Sequence, residues 1–238
     1  MAQVTYDEIK KAFQETVDSD KKCIDLYKQI KAGDASYGTA SLLSARIGED
    51  LGKVLIKYAP DMTIDEIDLD DILPKVLGLD QRMVTTACEM VQKDMNKDAG
   101  LGIKYKSPKF DMDRVVGLID EVKSHENFSD IKDAFVDQLA NFSQNIVDDS
   151  IRVNAQTMFK AGIRTMVVRQ AEAGACPWCL EQAGSYDYNE VRDLSNDVWR
   201  RHDNCRCTID FITERNTGVY SERVNNYKKK KDEDEDEE

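Results

Sequence analysis

Four of the six cysteines and one of the two histidines fall within 32 residues, as Cys176-Pro177-Trp178-Cys179 and then His202-Asp203-Asn204-Cys205-Arg206-Cys207. Thiolates and an imidazole at such spacing are zinc ligands: a CxxC turn presents two sulfurs from one tight loop, and HxxC presents a nitrogen and a sulfur from another. Five candidates compete for four tetrahedral places, so Cys205, Cys207 or His202 is spare. We favour Cys176, Cys179, His202 and Cys205, because CxxC and HxxC make two similar knuckles, with Cys207 in reserve. A saturated site leaves no position for water, so it staples a fold and catalyses nothing. No catalytic residue and no small-molecule substrate are therefore expected.

Other chemistries fit less well. A redox CxxC opens a helix after a strand in a βαβ unit, and none precedes Cys176. A zinc deaminase needs HxE upstream of its PCxxC, and the chain contains no HxE. An HNH-type nuclease needs further histidines, and only His125 remains. In Ser124-His125-Glu126-Asn127 it reads as a solvated link between helices.

The elements that must position the cluster follow from periodicity. Residues 1–160 read as helices. Thr5-Tyr6-Asp7-Glu8 is a capping box, followed by Ile9, Phe13, Val17, Ile24, Tyr27 and Ile30 at helical spacing up to Gly33. A second helix spans Ser36 to Tyr58. Thr63-Ile64-Asp65-Glu66 forms another capping box, and the acids from Asp61 to Asp71 fit a helix N-terminus better than a calcium loop. Further helices are expected over about 80–97, 112–123 and 128–160. A basic loop over 98–110, with Lys104, Tyr105, Lys106 and Lys109, is expected to be solvated. In the last helix Ile131, Phe135, Leu139, Phe142 and Ile146 keep one apolar stripe, and Gly162 stands where a C-cap glycine belongs.

Beyond Gly162 the period shortens. Residues 164–169 and 206–212 read as two strands, with an irregular helix over 189–200 between the knuckles. The expected fold is mainly α: an acidic helical region (1–127), a long connecting helix (128–162), a small zinc-stapled α+β module (163–215) and a flexible charged tail (216–238). Such a module has little apolar mass, and zinc contributes on the order of 10 kcal/mol to the folding of small metal domains. The last eleven residues, KKKKDEDEDEE, have no apolar side chain and are expected to be disordered.

Charge divides the chain at the same place. The formal net charge is −13; residues 228–238 contribute −3, residues 151–227 hold ten basic and ten acidic side chains, and the remaining −10 lies in residues 1–150. An acidic surface repels phosphate, which argues against duplex DNA binding by the N-terminal region. Arg200, Arg201 and Arg206, beside the ligands, are the candidate contacts for nucleic acid or a partner. No apolar run approaches the ~18 residues of a membrane span, so no membrane partner is expected, and synthesis in a reducing cytosol favours metal ligation over disulfides.

The stretch Asn154–Thr208, with Lys160-Ala-Gly-Ile163, Val168-Arg169, CPWC, Ala183-Gly184-Ser-Tyr186 and Arg201-His202-Asp-Asn-Cys205-Arg-Cys207-Thr208, resembles the C-terminal module of the phage Mu F-like head morphogenesis proteins, minor head proteins of tailed bacteriophages. It covers about a quarter of the chain. Asp203 stands where family members often have proline. The resemblance implies a structural component of the virion head. Its partners would be the portal or major capsid protein and the packaged DNA. It would be made in the bacterial host's cytoplasm and needed for head assembly, DNA packaging or ejection.

Overall fold

A computed structural model describes residues 5–58, 68–125, 130–193, 195–202, 205–216, 218 and 220–224. A helical body carries a small three-stranded antiparallel sheet beside a cysteine cluster.

Helix α1 (Tyr6–Ser19) opens with the expected capping box: the Glu8 N–H donates to the Thr5 hydroxyl oxygen, and the Thr5 N–H donates to the Glu8 carboxylate at 2.9 Å. Its apolar side, Ile9, Phe13 and Val17, is buried, contributing roughly 1.5–3 kcal/mol for each side chain. The chain does not continue as one helix to Ile30. Asp20, with extended backbone, closes α1 and caps α2 (Lys21–Lys31) by accepting the Cys23 N–H at 2.8 Å. A side chain that can cap satisfies the backbone groups freed at such a break, so the apolar spacing survives while the helix divides.

Helix α3 (Tyr37–Tyr58) matches its expected span and packs along α6 (Lys132–Lys160). Two glycines allow the approach: a Cβ on Gly48 would stand 2.4 Å from the Leu139 carbonyl oxygen, and one on Gly52 would stand 3.0 Å from Val136 Cα. Helix α4 runs from Leu69 to Asp98, beginning eleven residues before its expected start and carrying Pro74 in its first turns. As the sixth helical residue Pro74 forgoes the bond its N–H would make four residues back, and the helix continues through that loss. Asp68 caps α4, Asp71 pairs with Lys75 and Asp70 with Lys123, so these acids serve a helix end as expected. The Thr63 capping box lies outside the described residues.

The basic loop is docked rather than loosely solvated. Asn154 of α6 accepts the Lys106 N–H at 2.9 Å and donates to its carbonyl at 2.9 Å, while the Tyr105 and Ser150 hydroxyls lie 3.1 Å apart. Lys104, Lys106 and Lys109 remain exposed. Helix α5 (Met112–Lys123) follows, and the His125 ring contacts the Glu121 carbonyl at its end. Helix α6 starts at Lys132, four residues later than expected, and ends before Gly162, whose φ of 76° is the left-handed cap geometry.

The sheet has the order β2-β1-β3, with β1 (Thr165–Gln170) paired antiparallel to both β2 (Gly184–Asp187) and β3 (Thr208–Thr213). Two strands were expected and a third is present. Gly184-Ser-Tyr-Asp187 is too short for its period to show, and it pairs with β1 in a register that sets Val167 opposite Tyr186 and Val168 opposite Ser185. The helix expected over 189–200 is two short pieces: α8 (Tyr188–Val191), and a 3-10 turn (Asp197–Trp199) capped by Asn196.

The boundary assigned to the tail is corrected at its start. Asn216, Tyr220 and Val224 are buried, the Tyr220 hydroxyl donates to Asp210 at 2.9 Å, and Gln170 donates to the Val224 carbonyl at 3.1 Å. The KKKKDEDEDEE run lies outside the described residues. Among the described residues no helix is long and apolar enough to cross a membrane.

Candidate metal centre

The first knuckle is built at a helix start. Cys176 is the N-cap of α7 (Pro177–Glu181), Pro177 occupies its first turn, and three residues of helical rise bring Cys179 round to the side of Cys176. In the second knuckle the Cys205 N–H donates to the His202 carbonyl at 3.2 Å. Strand β1 brings the two together, since it hydrogen-bonds to β3, which follows Cys207, and leads through Ala171 to Cys176.

All five sequence-predicted ligands meet around Cys179. Two overlapping groups, Cys176/Cys179/His202 and Cys179/Cys205/Cys207, each have their ligand atoms within 4.8 Å of one another. His202 Nε2 lies 3.0 Å from Cys179 Sγ and 3.3 Å from Cys176 Sγ, and Cys179 Sγ lies 3.9 Å from Cys205 Sγ. Zinc bonds of about 2.3 Å to sulfur and 2.0–2.1 Å to nitrogen imply tetrahedral edges of roughly 3.5–3.8 Å, close to these separations. Disulfide sulfurs sit at about 2.05 Å, and all six cysteines are free. The donor set therefore fits a metal ion such as zinc.

Burial and charge shape the thiols. Cys179, Cys205 and Cys207 are buried and Cys176 is half-buried. The hydrogen bond it makes to Cys207, and next its burial, push the Cys205 thiol up to about 12, while Cys207, as the acceptor, falls below the usual thiol value. Burial raises Cys179. Metal binding requires thiolates, so a buried thiol group needs nearby cations to lower the cost of ionisation.

Two buried arginines supply them. Arg201 forms a bidentate pair with Asp148 of α6 and donates to the Cys207 carbonyl at 2.7 Å. Arg169 of β1 places Nη2 3.9 Å from the sulfurs of both Cys179 and Cys205. From α6, Asn141 donates to the His202 carbonyl at 3.1 Å.

The arginines proposed from sequence as external contacts separate. Arg201, with 3% of its side chain exposed, faces inward and is removed from that role. Arg206 is largely covered and pairs with Glu49 at 3.4 Å and Asp137 at 3.0 Å, so α3 and α6 hold it in place of a phosphate. Arg200 alone of the three is exposed, and it pairs with Asp197.

Arg169, Asp148 and Asn141 were not among the sequence candidates. For Arg169 a signal was present: with a period of two along β1 it shares a face with Thr165 and Val167, both buried. A cation on that face requires a buried partner. Asp148 and Asn141 carry no comparable mark.

No family model, curated protein or solved structure matches the chain.

Proposed function

We propose that this chain is a minor head protein of a tailed bacteriophage, with a structural role at or near the portal vertex during head morphogenesis, DNA packaging or ejection. Its metal centre is a structural zinc staple, and the protein is not an enzyme. Support for the family comes from the CPWC and HxNCRC motif residues themselves. The observation that carries the structural role is the closure of both knuckles around buried Cys179, with more sulfur and nitrogen donors than one tetrahedral ion can use. A surplus of protein ligands leaves no coordination place for a substrate. The staple fixes the sheet against α6, and the α3/α6 body then presents an acidic surface to the portal or major capsid protein.

A zinc-dependent nucleic-acid-binding role is the competing reading, and the inward turn of Arg201 and Arg206 weighs against it. Mass spectrometry of purified virions from a phage that encodes the chain is expected to detect it in the head. Absence from the particle would remove the assignment. In parallel, retardation assays at low salt are expected to show no DNA binding; affinity falling steeply with salt would favour the competing reading.

A further inference from the structure

We propose that Arg169 is the positioning residue of the metal centre, a fixed cation that ties both cysteine knuckles to the sheet. The inference rests on the zinc-staple reading above. Arg169 is 2% exposed, at the end of the central strand β1. One arm of its guanidinium, Nη2, reaches Cys179 in the first knuckle and Cys205 in the second, 3.9 Å from each sulfur. The other arm, Nη1, donates to the carbonyls of Val198 at 2.7 Å, Arg200 at 2.8 Å and Asp197 at 3.3 Å, the backbone that leads into His202. Its Cζ lies 5.2 Å from the centre of the ring of Trp178, the residue between Cys176 and Cys179 in the first knuckle. One side chain thus touches every segment that carries a ligand.

This arrangement suits sulfur bound to a divalent metal. Several thiolates around one Zn2+ leave a net negative charge, and N–H donors to those sulfurs disperse it while fixing each sulfur's direction. Only arginine combines the permanent charge with a planar fork able to serve two sulfurs on one side and three carbonyls on the other. Lysine keeps the charge without the fork, and methionine fills comparable space with neither. Cys179 and Cys205 are the sulfurs within its reach, one from each knuckle.

The test uses the full chain, with zinc affinity measured by chelator competition, cobalt(II) as a spectroscopic probe of the sulfur ligands, and circular dichroism to follow the helices. Removing an outer partner of a metal ligand typically lowers affinity by 10–100-fold, so R169M is expected to bind zinc ~10–100-fold more weakly and to shift the sulfur-to-cobalt charge-transfer band. R169K is expected to recover part of the affinity, which a merely space-filling role would not produce. Zinc binding by R169M within twofold of wild type, with an unchanged cobalt spectrum, would overturn the role of Arg169 while leaving the zinc staple intact. A wild-type chain that takes up no zinc overturns both. If R169M loses its helices, R169K decides: reduced affinity with a shifted band supports the role, and wild-type values for both reject it.

Discussion

Arg201 and Asp148 face each other across two hydrogen bonds of 2.7 and 2.9 Å, with 3% and 1% of their side chains exposed. The arginine immediately precedes His202 and the aspartate lies midway along α6, so this pair joins the metal module to the helical body. Truncating one partner leaves an uncompensated buried charge. R201M or D148N is therefore expected to cost about 3–5 kcal/mol in urea unfolding. The double variant R201M/D148N should cost less than the two losses added together, because neither charge is then left alone. Additive losses would show that the pair is not the joint.

The α3/α6 seam gives a second expectation. A methyl group on Gly48 would fall 2.4 Å from the Leu139 carbonyl and 2.6 Å from Ser143 Oγ, atoms that belong to the facing helix and its ladder. G48A should raise intrinsic helix propensity and yet lower stability, by about 1–3 kcal/mol from overpacking. G78A makes the control, since the nearest atom to a Cβ there is the far end of Arg82 at 3.9 Å. Thermal melts of both variants check this, and equal effects would rule out close approach as the reason for Gly48.

Metal removal provides the third. Zinc analysis of protein purified under reducing conditions is expected to return one equivalent. A strong chelator should lower the melting temperature, since a ligand that binds only the folded state stabilises it by RT ln(1 + [L]/Kd). C179S should abolish uptake, because Cys179 belongs to both ligand groups. C205S is expected to lose zinc and C207S to retain it. The reverse order would make Cys207 the fourth ligand.

Much of this was legible in the sequence, and the reasons for the misses are local. The five ligands could be named because metal spacing is a short-range property, read within one turn at each knuckle. The helical body followed from apolar stripes such as Phe135, Leu139, Phe142 and Ile146, all buried. The break at Asp20 was hidden because a capping carboxylate interrupts a helix without disturbing its period. The early start of α4 was hidden by Pro74, because a proline inside a helical pattern reads as a break and here the helix runs through it. Strand β2 was hidden by its length. Tyr220 and Val224 were absorbed into the tail because the few apolar residues there form too short a stripe to mark an element beside the charged run, and their fit against Asp210 and Gln170 accounts for their burial. Long-range partners, such as Asp148 for Arg201, have no sequence signal at all.

The last expectation concerns pH. Asp80 is fully buried between α4 and α6; Ser143 Oγ donates to Oδ2 at 2.8 Å, and Oδ1 has no hydrogen-bond partner among the described residues. Burial pushes this carboxyl up to about 7 from an ordinary value of 3.8, and the Ser143 bond offsets only part of the rise. A carboxyl raised in the folded state prefers to be protonated there, so its contribution to stability is whole below about pH 4 and is lost as pH rises through about 7. Asp210, raised to about 6, acts in the same direction, so the wild-type profile alone cannot isolate Asp80. The comparison with D80N can. Asparagine keeps an oxygen to accept from Ser143 and never ionises, so D80N should gain on wild type as pH increases, by about 2–3 kcal/mol more at pH 8 than at pH 5. Urea unfolding of both proteins at the two pH values measures that difference, and a gap that does not widen would mean that Asp80 acquires a cation or water when it ionises.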